Sequence, residues 1–192
     1  DGTLQPGAGR LMRVIAGAYK GRVLRAPTWT GLRPSSDRLR ETLFNVLAPR
    51  IEGARVLDVC AGTGAVGIEA LSRGAAAATF VERDRRAAAL IAGNLRTCGI
   101  DSGYVIDRRD ALASAEATFG GGFDIVFLDP PYEQPSLEPW VALGARHVTP
   151  GGLIVLEHAS RLAAPDVVGT VRRTRQLRQG DSTLTFYAVE PE

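Results

Sequence analysis

From residue 55 onward, short apolar segments alternate with amphipathic ones, and this alternation constrains the fold more than any other feature. The segments that predict strands are Arg55–Cys60, Ala78–Glu82, Tyr104–Asp107, Phe123–Asp129 and Leu153–Glu157. The segments that predict helices lie between them, at Ala65–Arg73, Arg85–Cys98 and Ser136–His147. Such an order predicts right-handed βαβ units and a parallel α/β sheet with helices on both faces.

The C-terminal part of the chain breaks this alternation. Val171–Arg178 and Thr183–Val189 flank the turn-forming residues 179–182, which is typical of an antiparallel hairpin. We therefore expect a seven-stranded, mostly parallel sheet that ends in an antiparallel hairpin. This Rossmann-like order resembles the fold of class I methyltransferases.

The N-terminal part predicts an extension to this domain. We expect a flexible lead at residues 1–11, a hairpin and helix at residues 12–50, and the main domain at residues 51–192. Short β-type runs broken by Gly17 and Gly21 predict the hairpin. Ser35, Ser36 and Asp37 offer N-cap side chains for a helix that continues to about Leu47.

Basic residues are concentrated in this extension, although the net charge of the whole chain is only +2. Between residues 10 and 40 the single acid is Asp37. The basic residues there are Arg10, Arg13, Lys20, Arg22, Arg25, Arg33, Arg38 and Arg40. Clustering of one charge predicts contact with a polyanion such as a nucleic acid.

The rest of the composition excludes several classes of protein. No apolar run approaches the roughly 18 residues that a membrane span needs. Cys60 and Cys98 are isolated thiols without metal-ligand spacing, so we expect no metal site and a reducing, cytoplasmic location.

A glycine-rich turn follows the first strand of the main domain. The sequence from Asp58 to Gly67 runs from a strand through Gly62, Thr63 and Gly64 into a helix. Without a Cβ, Gly62 and Gly64 let a ligand lie against the backbone. Ligands of open α/β sheets bind outside the carboxyl ends of the strands, so we expect a cofactor at this turn.

Two classes of cofactor fit the turn: S-adenosylmethionine and a nicotinamide dinucleotide. The dinucleotide fits because the turn satisfies the pattern G-x-G-x-x-G, with Glu82 twenty residues after Gly62. Asp58 favours S-adenosylmethionine, since a carboxylate beside a dinucleotide pyrophosphate would be repelled. Glu82 can accept hydrogen bonds from ribose hydroxyls. Asp110 and Ala111, after the third strand, are expected at the adenine, although Asp110 is also compatible with a solvated turn.

The fourth strand ends in Asp129-Pro130-Pro131-Tyr132. The prolines restrict the backbone, so the Asp129 carboxylate and the Pro130 carbonyl become rigid acceptors. Two acceptors can hold both N–H bonds of an aromatic amine and stabilise positive charge on its nitrogen as a methyl group arrives. Tyr132 can stack on the base. A simple strand-ending turn is the alternative.

Taken together, these motifs resemble the RsmD family, bacterial methyltransferases that modify N2 of a guanine in 16S rRNA. The resemblance covers residues 12 to 192 and is most specific in the N-terminal extension. It is carried by Arg13-Val14-Ile15-Ala16-Gly17, Lys20-Gly21-Arg22, Arg33-Pro34-Ser35-Ser36-Asp37-Arg38 and Arg40-Glu41-Thr42-Leu43-Phe44-Asn45, together with the glycine turn and the tetrapeptide. Serines stand at 35 and 36, where many relatives have threonine.

The resemblance implies a cytoplasmic enzyme acting on 16S rRNA in an assembling small ribosomal subunit, with no membrane and no metal. The cofactor-binding residues would be Asp58, Gly62, Thr63, Gly64, Glu82, Asp110 and Ala111. The residues that hold the guanine would be Asp129, Pro130 and Tyr132. The residues that grip RNA would be Arg13, Lys20, Arg22, Arg25, Arg33, Arg38 and Arg40.

Three other functions remain compatible with parts of the sequence. A DNA adenine N6 methyltransferase could use the same tetrapeptide, although the chain has no room for the usual target-recognition insertion. A nicotinamide-dependent oxidoreductase could use the glycine turn. A non-catalytic rRNA-binding assembly factor could retain the fold.

Overall fold

The computed structural model describes residues 12–29, 36–113 and 118–189. The helices are α1 (Asp37–Ile51), α2 (Ala65–Ser72), α3 (Arg85–Cys98) and α4 (Glu138–His147). The strands are β1 (Met12–Arg13), β2 (Val23–Leu24), β3 (Arg55–Val59), β4 (Ala77–Val81), β5 (Tyr104–Asp107), β6 (Phe123–Leu128), β7 (Val148–Ala159), β8 (Val167–Val168), β9 (Val171–Gln179) and β10 (Ser182–Val189). The expected lead at residues 1–11 lies outside the described residues.

The main sheet has the strand order β5-β4-β3-β6-β7-β10-β9-β8. Pairing is parallel from β5 to β7 and antiparallel from β7 to β8. Strand order reverses between β3 and β6, and this places their carboxyl ends side by side. The seven expected strands are confirmed, and β8 adds a two-residue eighth strand at the edge.

Helix α1 begins where the sequence predicts and ends later. The Ser36 hydroxyl accepts a hydrogen bond from Leu39 N at 3.1 Å, which is an N-cap contact. The helix continues past Leu47 and through Pro49 to Ile51. Ile51 lies one turn after Leu47 on the same buried face, so packing extends the helix beyond the expected end.

The two faces of the sheet are covered by different helices. Helix α4 packs Trp140 and Val141 against one face in a cluster with Val126 and Ile154. Helices α1, α2 and α3 cover the other face, where Leu43 and neighbouring side chains pack on β3, β6 and β7. Within the described residues, no helix has both the length and the apolar character to cross a membrane.

The N-terminal hairpin shares the core of the main domain. Met12, Val14 and Leu24 are buried in one cluster with Ile68 of α2 and Ile91 of α3. The extension is therefore held against the two helices that follow the first two strands of the parallel sheet.

Candidate functional site

A cleft of about 800 Å³ opens at the carboxyl ends of β3, β4, β6 and β7. Its walls come from the turn after β3, the end of β4, the segment after β5, the tetrapeptide after β6 and the turn between β9 and β10. Since these segments are far apart in sequence, the sheet topology is what brings them together.

The glycine turn after β3 is held in place by backbone hydrogen bonds. Ala61 N donates to Val81 O at 3.1 Å, and Gly64 N donates to Ala61 O at 2.7 Å. Gly62 lines the cleft, as expected. Gly64 has a different role, because a Cβ at its φ of 76° would point at Ile91 and Phe80 in the core. It allows close packing at the start of α2.

Glu82 and Thr63 connect this turn to its surroundings. The buried Glu82 carboxylate accepts hydrogen bonds from Gly62 N and Asp84 N, both at 2.9 Å. Thr63 O accepts one from the Asn94 side chain at 2.9 Å. The carboxylate of Glu82 therefore orients the glycine turn and also lines the cleft.

Asp58 lies at the floor of the cleft and is almost completely buried. Its carboxyl accepts a hydrogen bond from Gly67 N at 3.0 Å. Burial raises the pKa of Asp58 to about 7, against the lowering effect of that hydrogen bond, and the nearby charges of Glu82 and Glu157 raise it further.

Asp129 stands directly beside the glycine turn. Its backbone N–H donates to Val59 O at 3.1 Å, which continues the parallel pairing of β6 with β3. Burial raises the pKa of the Asp129 carboxyl well above its ordinary value, and the charges of Glu157, Asp58 and Glu82 add to the effect. The gathering of these carboxyl groups in one cleft favours a ligand carrying positive charge.

The rest of the tetrapeptide forms a wall of the cleft. Pro130 is buried, and Tyr132 has 38% of its surface exposed. The Tyr132 hydroxyl donates to Asp181 O at 3.4 Å, and the Arg161 guanidinium lies 5.4 Å from the centre of its ring. The aromatic ring is thus held at the cleft with part of its surface exposed to a ligand.

Asp110 and Ala111 follow β5 and line the cleft. In the sheet, β5 lies on the opposite side of β3 from β6, the strand that ends in the tetrapeptide. The Asp110 carboxylate accepts from Leu112 N at 3.0 Å and pairs with Arg83 at 2.8 Å. These contacts lower the pKa of Asp110, and the hydrogen bond from Leu112 N has a larger effect than the one from Arg83. The group therefore stays a carboxylate.

Most of the predicted RNA-contacting residues lie on the surface. Arg13, Lys20, Arg22, Arg25 and Arg38 are exposed. Arg33, like Pro34 and Ser35, lies outside the described residues.

For Arg40 the prediction of RNA contact is wrong. Its side chain is completely buried on the inner face of α1, between Leu39 and Leu43. The guanidinium donates to Arg13 O and pairs with Asp37 at 3.2 Å and Glu69 at 4.0 Å. Arg40 therefore joins α1 to the N-terminal hairpin inside the protein.

Two buried polar residues that the sequence analysis missed tie the extension to the main domain. Glu69 accepts hydrogen bonds from Ile15 N at 2.8 Å and Ala16 N at 2.9 Å. The Asn94 side chain, which donates to the glycine turn, also accepts from Arg25 N at 2.8 Å. A single acid within the otherwise apolar helix α2 was the signal for Glu69.

A glycine turn and a tetrapeptide at adjacent strand ends of this sheet define the class: the fold is that of class I methyltransferases. The family described as "Conserved hypothetical protein 95" matches residues 12–188. The chain belongs to this family, the RsmD family, and is a methyltransferase.

Proteins from two bacteria illustrate the relationship. Ribosomal RNA small subunit methyltransferase D of Escherichia coli is 44% identical over 137 residues, which are 71% of this chain and 68% of that protein. The protein of the same name from Haemophilus influenzae is 38% identical over 156 residues, 79% of this chain and 81% of its own length. The solved structure of E. coli YhhF covers 94% of this chain and 99% of its own, with 35% identity and a TM-score of 0.82.

Proposed function

We propose that the protein transfers a methyl group from S-adenosylmethionine to the N2 amino group of a guanine in 16S rRNA. The relatives named as small-subunit rRNA methyltransferases support this substrate class. The observation that carries the proposal is the position of Asp129, which is hydrogen-bonded through its backbone to β3 and shares one cleft with the glycine turn.

The half of the cleft lined by the glycine turn, which we call the donor end, suits S-adenosylmethionine. When bound, this molecule supplies an electrophilic methyl group on a sulfonium. The carboxyl groups of Asp58 and Glu82 complement its positive charges and hydroxyls, and the Asp58 carboxylate would repel a pyrophosphate. Asp110 and Ala111 would hold the adenine. Gly62 and Thr63 line the part of the cleft beside the glycine turn.

The half lined by the tetrapeptide, which we call the acceptor end, suits a base with an amino group. The Asp129 carboxylate and the Pro130 carbonyl would accept the two N–H bonds, so that the nitrogen lone pair points toward the donor end. Positive charge at the donor end favours the carboxylate form of Asp129, which its surroundings otherwise disfavour. Tyr132 would stack on the base and compensate for stacking lost in the RNA.

The exposed basic residues of the N-terminal extension would hold the RNA. Arg13, Lys20, Arg22 and Arg25 surround the hairpin, and Arg38 lies at the start of α1. Arginine and lysine contacts to phosphates give affinity without sequence preference. An rRNA substrate in an assembling small subunit implies a cytoplasmic location.

Identification of the methylated nucleoside tests the proposed function. Small ribosomal subunits from cells that lack this family's enzyme are incubated with the purified protein and methyl-labelled S-adenosylmethionine, and the RNA is digested to nucleosides. We expect the label in N2-methylguanosine. Label in N6-methyladenosine would indicate a different amino methyltransferase, and absence of labelled nucleosides would contradict the proposal.

A further inference from the structure

The turn between β9 and β10 forms a wall of the acceptor end. Gln179, Asp181 and Ser182 line the cleft together with the tetrapeptide. Asp181 O accepts hydrogen bonds from Ser160 N at 2.7 Å and from the Tyr132 hydroxyl at 3.4 Å. The backbone of the turn is therefore fixed both to the end of β7 and to the tetrapeptide.

One acceptor atom on this wall has no partner. Among the described residues, three buried side-chain atoms lack a hydrogen bond: Gln179 Oε1, Arg40 Nε and Arg40 Nη1. Only Gln179 belongs to the lining of the cleft. An unsatisfied buried acceptor costs about 1–3 kcal/mol, so a ligand that brings a donor to this oxygen gains free energy.

The other glutamine of the cleft shows the contrast. Gln134 also lines the cleft, but its Oε1 accepts a hydrogen bond from Trp140 Nε1 at 3.0 Å. Its side-chain nitrogen donates to Glu133 O at 3.0 Å. The amide of Gln134 is therefore used within the protein, whereas the oxygen of Gln179 has no partner and is covered in this conformation. Rotation of the side chain into the cleft that it lines would present this oxygen to a ligand.

We propose that Gln179 determines the specificity for guanine by turning its amide into the cleft and accepting a hydrogen bond from the ring N1–H through Oε1. This inference rests on the proposed function and names the residue that selects its base. Among the amino-bearing bases, guanine alone has an N–H donor on a ring atom next to the amino-bearing carbon. Adenine presents N1 and cytosine presents N3 at that place, and both are acceptors that would face the Gln179 oxygen without a proton between them.

Substitutions at Gln179 test whether an acceptor oxygen is required. Gln179→Leu removes the oxygen, and Gln179→Glu keeps an oxygen in either orientation of the side chain. With unmethylated small ribosomal subunits, we expect Gln179→Leu to lower kcat/KM roughly 10–100-fold, because the N1–H is left unpaired. Gln179→Glu should stay within about fivefold of the wild type, since its carboxylate can still accept.

Gln176→Leu is the matched control, since Gln176 lies three residues away on β9 and outside the cleft lining. It removes a hydrogen bond to the Thr185 hydroxyl at 3.0 Å, so it measures the effect of losing a glutamine contact on this strand away from the base. It should leave kcat/KM within about threefold of the wild type. Affinity for S-adenosylmethionine, measured by calorimetry, should be the same in all four proteins, because Gln179 acts on the base. An equal loss of activity in Gln179→Glu and Gln179→Leu would overturn the proposal, as would unchanged activity in Gln179→Leu.

A base analogue gives a second, independent measurement. 2-Aminopurine has the same amino group as guanine, but its N1 is an acceptor. In subunits reconstituted with 2-aminopurine at the methylated position, the wild type should lose roughly 10–100-fold in kcat/KM relative to guanine. Gln179→Leu should discriminate between the two bases less than about threefold, and wild-type-like discrimination in this variant would contradict the proposal.

These outcomes are separable from failure of the proposed function. If the wild type places no methyl group on guanine N2, the proposed function is wrong. If the wild type methylates guanine N2 and the Gln179 variants behave like the Gln176 control, only the role of Gln179 is wrong.

Discussion

At the end of β3, Asp58 is a carboxyl group buried beneath the donor end of the cleft. The sequence predicted that Asp58 lies at a cofactor site. How deeply its side chain is buried depends on the helices and strands around it. The pKa of Asp58 is raised to about 7 from an ordinary value of 3.8. Between these two pH values the folded protein holds a proton on this carboxyl group that the unfolded chain releases. Folding is therefore linked to pH through this residue.

The linkage predicts a stability difference between wild type and Asp58→Asn. Between pH 4 and pH 7 the folded state binds more protons at this site, so the free energy of unfolding falls as pH rises, by up to about 1.4 kcal/mol per pH unit from this group. The asparagine amide in the variant keeps an acceptor for Gly67 N and does not titrate. Urea denaturation at pH 5, 6, 7 and 8 should show a shallower slope for the variant below pH 7; parallel curves would contradict the raised pKa.

At the scale of elements, the N-terminal hairpin is docked on α2 by backbone contacts that leave no space. Ala18 N donates to Ser72 O at 2.7 Å, and Tyr19 N donates to the Ser72 hydroxyl at 3.0 Å. A Cβ built on Gly17 would lie 1.9 Å from Ser72 O. The glycine is required by the approach of the hairpin to the helix.

Gly17 and Gly21 form a matched pair for testing this docking. Both have a positive φ, 86° and 81°, but a Cβ on Gly21 meets nothing within 4 Å. Alanine at either position carries the left-handed cost of about 1–2 kcal/mol. We expect Gly17→Ala to lower the free energy of unfolding by roughly 2 kcal/mol more than Gly21→Ala, because the hairpin must move. Equal losses in urea denaturation would show that the contact is not restrictive.

At the scale of the whole molecule, the predictable part of the structure is the part set by local pattern. The bounds of α3 and β5 agree with the sequence prediction, whereas β7 begins at Val148, earlier than the predicted Leu153. Before Leu153 only Val148 pairs with β6, opposite Phe123, and the register then shifts. Residues 149–152 therefore interrupt the ladder, and regular pairing begins where the sequence predicts. The single acid in α2 marked Glu69 as unusual, but the contacts of Glu69 and Arg40 could not be predicted, since they depend on how the extension packs on α2.

The same limits apply to the candidate site. The sequence predicted the glycine turn and the tetrapeptide, because each follows an apolar strand and the strand order brings them together. It did not single out Gln179, which reaches the cleft only because the antiparallel hairpin lies beside β7. The contacts of such residues depend on tertiary packing, which a local pattern does not show.

The basic extension predicts how RNA affinity responds to charge and salt. Arg22→Glu should weaken binding to 16S rRNA and reduce the slope of log affinity against log salt by about 1, because a phosphate contact is lost. Arg146→Glu on α4 is the matched control, an exposed arginine on a helix that covers the other face of the sheet. Filter binding at several salt concentrations measures the affinity and the salt slope of each variant. Identical slopes for Arg22→Glu and wild type would show that the hairpin is not part of the RNA-binding surface.

The geometry at the ends of β3 and β6 is tested most directly by Asp129→Ala, with methyl transfer and S-adenosylmethionine binding measured on the same preparation. Loss of the acceptor for the amino group should lower kcat at least about 100-fold while the dissociation constant changes less than about fivefold. Asp124→Ala on the same strand is the control: it removes an exposed carboxylate that accepts from Arg55 N at 2.8 Å at the end of β6 away from the cleft. Turnover by Asp129→Ala within about threefold of the wild type would contradict the account.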